Sequence, residues 1–185
     1  MIQRKDILPI LVLTIVVFAS VITLVLTDDV TRNNIDEQKN IEIQNSLSEQ
    51  FPDMTSYVYD KDIAVYTIYS GDDSNPENII GYSFESSGSG YGGTIDILVS
   101  LKDLETINGI SIINHMETPG LGARIVEPSF TDQFKDVLIQ DVKLRKDDGQ
   151  IDAISGATIS SLAVVNAVQQ TALEKVALLK EKDNL

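Results

Sequence analysis

Four hydroxyl side chains crowd around one glycine in the stretch Ser155-Gly156-Ala157-Thr158-Ile159-Ser160-Ser161. It follows a short apolar run with an acidic step, Ile151-Asp152-Ala153-Ile154. After it, Leu162, Val165, Val168, Ala172, Val176 and Leu179 recur every three or four residues, the spacing of an amphipathic helix. A hydroxyl-rich turn at the mouth of a helix has a chemistry of its own. Unpaired N–H groups and the positive end of the helix dipole meet there, and both suit an anion, phosphate above all. The same residue types also serve as plain caps, with Thr158, Ser160 or Ser161 bonding to a free amide.

Two further stretches carry unusual chemistry. In His115-Met116-Glu117-Thr118-Pro119-Gly120-Leu121-Gly122-Ala123-Arg124 the Thr-Pro-Gly core predicts a tight turn centred on Pro119 and Gly120. Glycines on both sides of Leu121 leave its side chain standing out of the loop, which makes sense where something flat and apolar packs on it. The piece Ser87-Gly88-Ser89-Gly90-Tyr91-Gly92-Gly93 reads either as a hairpin tip or as a place where backbone approaches a planar ligand. A strand follows it, so it is not a dinucleotide fingerprint.

The composition narrows the classes. The 185 residues carry a net charge of −14, which argues against nucleic-acid binding. Cysteine is absent and His115 is the single histidine. Cysteine-ligated clusters, Cys/His zinc sites and thiol nucleophiles are therefore excluded, and redox chemistry would need an organic cofactor. No metal site and no catalytic group of the chain's own are expected.

The elements that must position these loops can be read in order. Ile7 to Leu26 is an apolar run long enough, at about 30 Å as a helix, to cross a bilayer's hydrocarbon core. It runs into Thr27-Asp28-Asp29 with no small-x-small cleavage site, so a retained anchor is expected rather than a signal peptide. Arg4 and Lys5 before it place the N-terminus in the cytoplasm and the remainder outside. Asn33 to Phe51 predicts a helical stalk ended by Pro52, or a frayed linker. Strands are predicted at 63–69, 79–85, 94–100 and 109–114, with a further candidate at 142–146. A short helix is expected over 129–138, with Ser129 as its cap and Phe130, Phe134 and Val137 inward. The expected fold class is α+β: one N-terminal transmembrane helix, then a small twisted, mostly antiparallel sheet with the C-terminal helix on one face and the functional loops at one edge.

Taken together, Gly90-Tyr91-Gly92-Gly93, then Glu117-Thr118-Pro119-Gly120-Leu121-Gly122, then Ser155-Gly156-Ala157-Thr158 resemble the FMN-binding domain of the Rnf complex G subunit. The C subunit of the sodium-pumping NADH:quinone oxidoreductase shares these motifs. The resemblance covers about residues 79–171. An N-terminal anchor followed by an outside domain matches that family as well, so the expected organisation is a cytoplasmic N-terminus at 1–6, a transmembrane helix at 7–27, a stalk at 28–52 and an extracytoplasmic FMN-binding domain at 53–185.

In that family FMN is bound covalently, through a phosphoester to the last hydroxyl of the tetrapeptide, which is Thr158 in this chain. The resemblance further implies a magnesium-dependent flavin transferase that takes the FMN half of FAD and releases AMP. Ser155, Ser160 and Ser161 would add hydroxyl donors, while Gly156 and Ala157 keep the approach open. Leu121 would pack on the ring, and Thr118 with the amides near Gly120 and Gly122 would meet its polar edge. Arg124 would offset negative charge on ring or phosphate, or be a surface cation. Glu117 would accept a flavin or ribityl hydrogen bond, or fix the turn. Tyr91 would cover the ring or fill core.

The implied function is an electron-transfer subunit of an Rnf-type ion-translocating ferredoxin:NAD oxidoreductase, working with the other membrane and cytoplasmic subunits. The quinone-reductase C subunit and a stand-alone anchored extracellular flavin carrier are the nearer alternatives, and the compact length points to Rnf. A non-redox anchored binding domain, with 155–161 as a mere cap, is the reading from a different class.

Overall fold

The computed structural model describes the backbone of residues 4–183 and the side chains of residues 12–24 and 38–182. The chain divides into two units, Met1–Ile41 and Glu42–Leu185. Within the first, helix α1 (Arg4–Gln50) begins, and Val12, Leu13, Ile15, Val16, Val17, Phe18, Val21, Ile22 and Leu24 are exposed around its circumference. The 7–27 expectation extends past the described side chains at both ends. Among the described residues no helix is long and apolar enough to cross a membrane.

The second unit is built on a meander. Runs of β-branched and aromatic residues make β1 (Ser56–Asp60), β2 (Val65–Tyr69), β3 (Ile79–Ser89), β4 (Thr94–Leu101) and β5 (Ile107–His115). They lie in the order β1-β2-β3-β4-β5 and every pairing is antiparallel. β1 is a strand the periodicity did not predict.

Side chains alternate across this sheet, as the strand period of two requires. Ile95, Ile97, Val99 and Leu101 of β4 join the larger core, with Val164, Val165, Val168 and Ala172 of the helix α3 (Thr158–Asp183). Leu98 faces the other way, into a smaller cluster with Ile68 of β2 and with Ile43, Leu47 and Phe51. The last turns of α1 are therefore the second cover of the sheet. Seated directly opposite each other in β3 and β4, Ser83 and Ser100 pair their buried hydroxyls at 2.6 Å. α3 lies tight on β3 because residue 88 has no side chain: a Cβ on Gly88 would stand 2.6 Å from the Ala163 carbonyl oxygen. That contact sets the start of α3 beside the β3–β4 tip.

The segment after β5 departs from expectation. The helix foreseen over 129–138 is only α2 (Pro128–Thr131) and one 3-10 turn, Asp132–Phe134, and Glu127 rather than Ser129 holds the cap position. Phe130, Phe134 and Val137 do point inward. The helix stops because Lys135 is extended and Asp136 takes a φ of 61°, returning the chain so that Ile107 N–H donates to Val137 O at 2.9 Å. No strand forms over 142–146; 3-10 turns at Ile139–Asp141 and Arg145–Asp147 flank a single bridge between Leu144 and Ile151.

Candidate functional site

The turn before α3 is held from inside. Ser161 is buried; its hydroxyl accepts the Ile154 N–H and donates to Ala157 O, both at 3.0 Å. Ala157 N–H donates back to Ile154 O at 2.9 Å, and Gly156 supplies the φ of 80° that such a fold of the backbone needs. Upstream, Arg145 grips Asp152 at 2.7 and 3.1 Å, and this contact holds the Asp152 carboxyl below the usual carboxylate range. Asp152 N–H also donates to Gln133 Oε1 at 2.7 Å.

The residue ahead of α3 is Ala157, whose side chain has no oxygen with which to cap the helix. The amides of Thr158, Ile159 and Ser160 meet no backbone carbonyl among the described residues. Three open donors at the head of a 26-residue helix, with the exposed Thr158 hydroxyl among them, make a seat for an anion. The plain-cap reading of this turn does not describe it.

Facing this seat are the β3–β4 tip and the loop after β5. Leu121 N–H donates to Thr118 O at 3.2 Å and Ala123 N–H to the same oxygen at 3.1 Å, closing the expected turn on Pro119 and Gly120, whose φ is 74°. Leu121 stands out of it, 49% exposed. The tip closes through Gly90 N–H to Gly93 O at 2.8 Å and carries Tyr91, 74% exposed. A cleft of about 430 Å³ results. Tyr91, Glu117, Thr118, Leu121 and Gly122 line it from the sheet loops, and Gly156, Ala157, Thr158, Ile159 and Ser160 from the helix turn. That volume is ordinary for a small-molecule site. Apolar side chains with open amides beside them suit a flat ligand that carries a phosphate.

Most of the foreseen residues thus meet, though not in the roles expected of all of them. Glu117 is 5% exposed and its carboxylate is spent within the chain: Oε1 accepts Gly92 N–H at 2.8 Å and Oε2 accepts the Ser160 hydroxyl at 2.5 Å. Ser160 therefore directs its proton to Glu117, and Ser161 directs its own to the turn, so neither hydroxyl is a free donor. Arg124 turns to Glu127 at 3.2 Å and is not among the cleft residues; Ser155 and Gly120 are exposed beside it. His115 accepts the Glu117 N–H at 3.2 Å through Nδ1 and so shapes the loop. Tyr91 does not fill core.

Ile159, 56% exposed and on the cleft wall, was not foreseen. Its signal was legible, since it is an apolar residue off the buried stripe of α3. The functional loops also lie at the ends of strands β3, β4 and β5, not along a lateral edge of the sheet.

Comparison with known proteins agrees with this geometry. Residues 90–173 match the FMN-binding domain family. The chain is 46% identical over 114 residues to the G subunit of the ion-translocating oxidoreductase complex of Methanosarcina acetivorans, covering 61% of this chain and 60% of the relative. It is 30% identical over 166 residues to the protein of the same name from Cereibacter sphaeroides, covering 82% of this chain and 75% of the relative. The match thus spans about three-fifths of the first relative's length. Among solved structures, the C subunit of the Na(+)-translocating NADH-quinone reductase of Parabacteroides distasonis shares the fold, with a TM-score of 0.50 at 20% identity over 78% of this chain and 94% of that one.

Proposed function

The chain belongs to the G-subunit family of Rnf-type ion-translocating oxidoreductase complexes, and on that premise we propose that it is the component that carries covalent FMN. The bond is a phosphoester on Thr158 Oγ1. FMN, when bound, supplies one- and two-electron transfer. What the chain supplies is placement. The amides of Thr158, Ile159 and Ser160 and the α3 dipole hold the phosphate, while Leu121, Ile159 and Tyr91 offer apolar surface to the ring.

The observation that carries this reading is the uncapped start of α3, where an exposed threonine hydroxyl stands beside three open amides at the end of an apolar cleft. Nothing in the cleft is free to take the proton from Thr158. Glu117 is its one carboxylate, and both oxygens are occupied. Attachment therefore falls to a separate flavin transferase acting on FAD. The expected setting is the cytoplasmic membrane, with residues 7–27 as anchor, the flavin domain on the outer face and the other complex subunits as electron partners in a ferredoxin:NAD oxidoreductase.

Intact-mass analysis of the chain produced with a flavin transferase tests the assignment. The expected result is one FMN adduct on the peptide that contains Thr158, absent from Thr158→Ala. The same adduct on the alanine variant overturns the residue, and a bare polypeptide in the wild type overturns the reading.

A further inference from the structure

We infer that Glu117 is the positioning residue of this cleft and a fixed negative charge in its wall, a role distinct from that of a flavin ligand. Three separate segments make the cleft: the β3–β4 tip, the loop after β5 and the first turn of α3. The Glu117 carboxylate joins all three, from its own loop to Gly92 N–H in the tip and to the Ser160 hydroxyl in α3. It accepts at both oxygens, so neither is left over for a ligand. Buried acceptors of this kind make stronger bonds than neutral ones and are costly to lose.

Two glycines are explained by this carboxylate. A Cβ on Gly90 would stand 2.2 Å from Glu117 Oε1, and one on Gly122 would stand 2.3 Å from Oε2. Both residues are bare to admit the carboxylate between the loops. In a chain of net charge −14, no lysine or arginine lines the cleft, so the side chain brings a negative charge there that no cationic side chain offsets. Such a charge opposes the addition of electrons nearby and holds a reduction potential down.

The inference rests on the FMN reading for the potential but not for the positioning, so two measurements separate them. The first is amide hydrogen exchange at Gly92 in the full chain carrying Thr158→Ala, where no flavin is involved. Glu117→Ala should speed that exchange about tenfold or more, as loss of a charge-assisted bond implies. Glu117→Gln should keep it slow, because its carbonyl can accept Gly92 N–H while its amide donates to Ser160 Oγ. Equal exchange in the Glu117 and Glu117→Ala chains overturns the positioning role, whatever the flavin content. The second measurement is the midpoint potential of the flavin-loaded Glu117→Gln chain, which should shift upward. An unchanged or lowered potential overturns the charge.

Discussion

Four hydroxyls share the turn before α3, and the structure gives them three different environments. Thr158 and Ser155 are exposed, Ser160 is committed to Glu117, and Ser161 is buried under the turn. Replacing Ser161 by alanine should therefore act on stability. It leaves the buried Ile154 N–H without an acceptor, a loss of about 1–3 kcal/mol that a denaturant titration would show as a lower midpoint at unchanged slope. No change in the midpoint would mean that the turn does not depend on this hydroxyl. The sequence held part of the distinction. Ser161 stands four and seven residues before Val165 and Val168, on the buried stripe of α3, so its burial was legible. The partnership of Ser160 with Glu117 was not, because it joins residues 43 apart along the chain and depends on how α3 lies against the loops.

At the level of elements, the end of α1 has a structural task. Ile43, Leu47 and Phe51 cover Ile68 and Leu98, so residues 42–51 are part of the second unit's own core. A chain beginning at residue 42 should unfold cooperatively, whereas one beginning at residue 53 should expose that face of the sheet and bind a hydrophobic dye. Leu47→Ala should lower the stability of the longer form by about 2–5 kcal/mol, the usual cost of emptying a buried leucine site. Equal thermal midpoints for the two starting points would remove α1 from the core. Polar spacing had suggested a stalk because three apolar side chains are all this cover needs. The same sparseness hid β1, whose five residues, Ser56–Asp60, alternate weakly. Strands β2 to β5 and helix α3 were legible because long apolar periodicity survives any packing. The 129–138 segment misled for the opposite reason. Phe130, Phe134 and Val137 have helical spacing, yet their burial is reached through a left-handed residue and a return to β5.

For the whole molecule, charge and apolar surface pull toward different solvents. The net charge of −14 repels an anionic lipid surface, so electrostatics cannot hold this protein on a membrane. The first unit offers the alternative: nine large apolar side chains between Val12 and Leu24 that the chain leaves uncovered. Moving a side chain of this kind out of water is worth roughly 1.5–3 kcal/mol, so nine of them together supply on the order of ten kcal/mol or more. Attachment should therefore resist high salt, which screens charges, and an alkaline carbonate wash, which only adds to the negative charge. Detergent should release the protein. A chain that begins at residue 36 keeps the packed end of α1 and should leave the membrane fraction altogether. The full chain is expected in the pellet after both washes, as fractionation and immunoblotting would show. Its release by salt alone would assign the attachment to charge and dismiss residues 7–27 as the anchor.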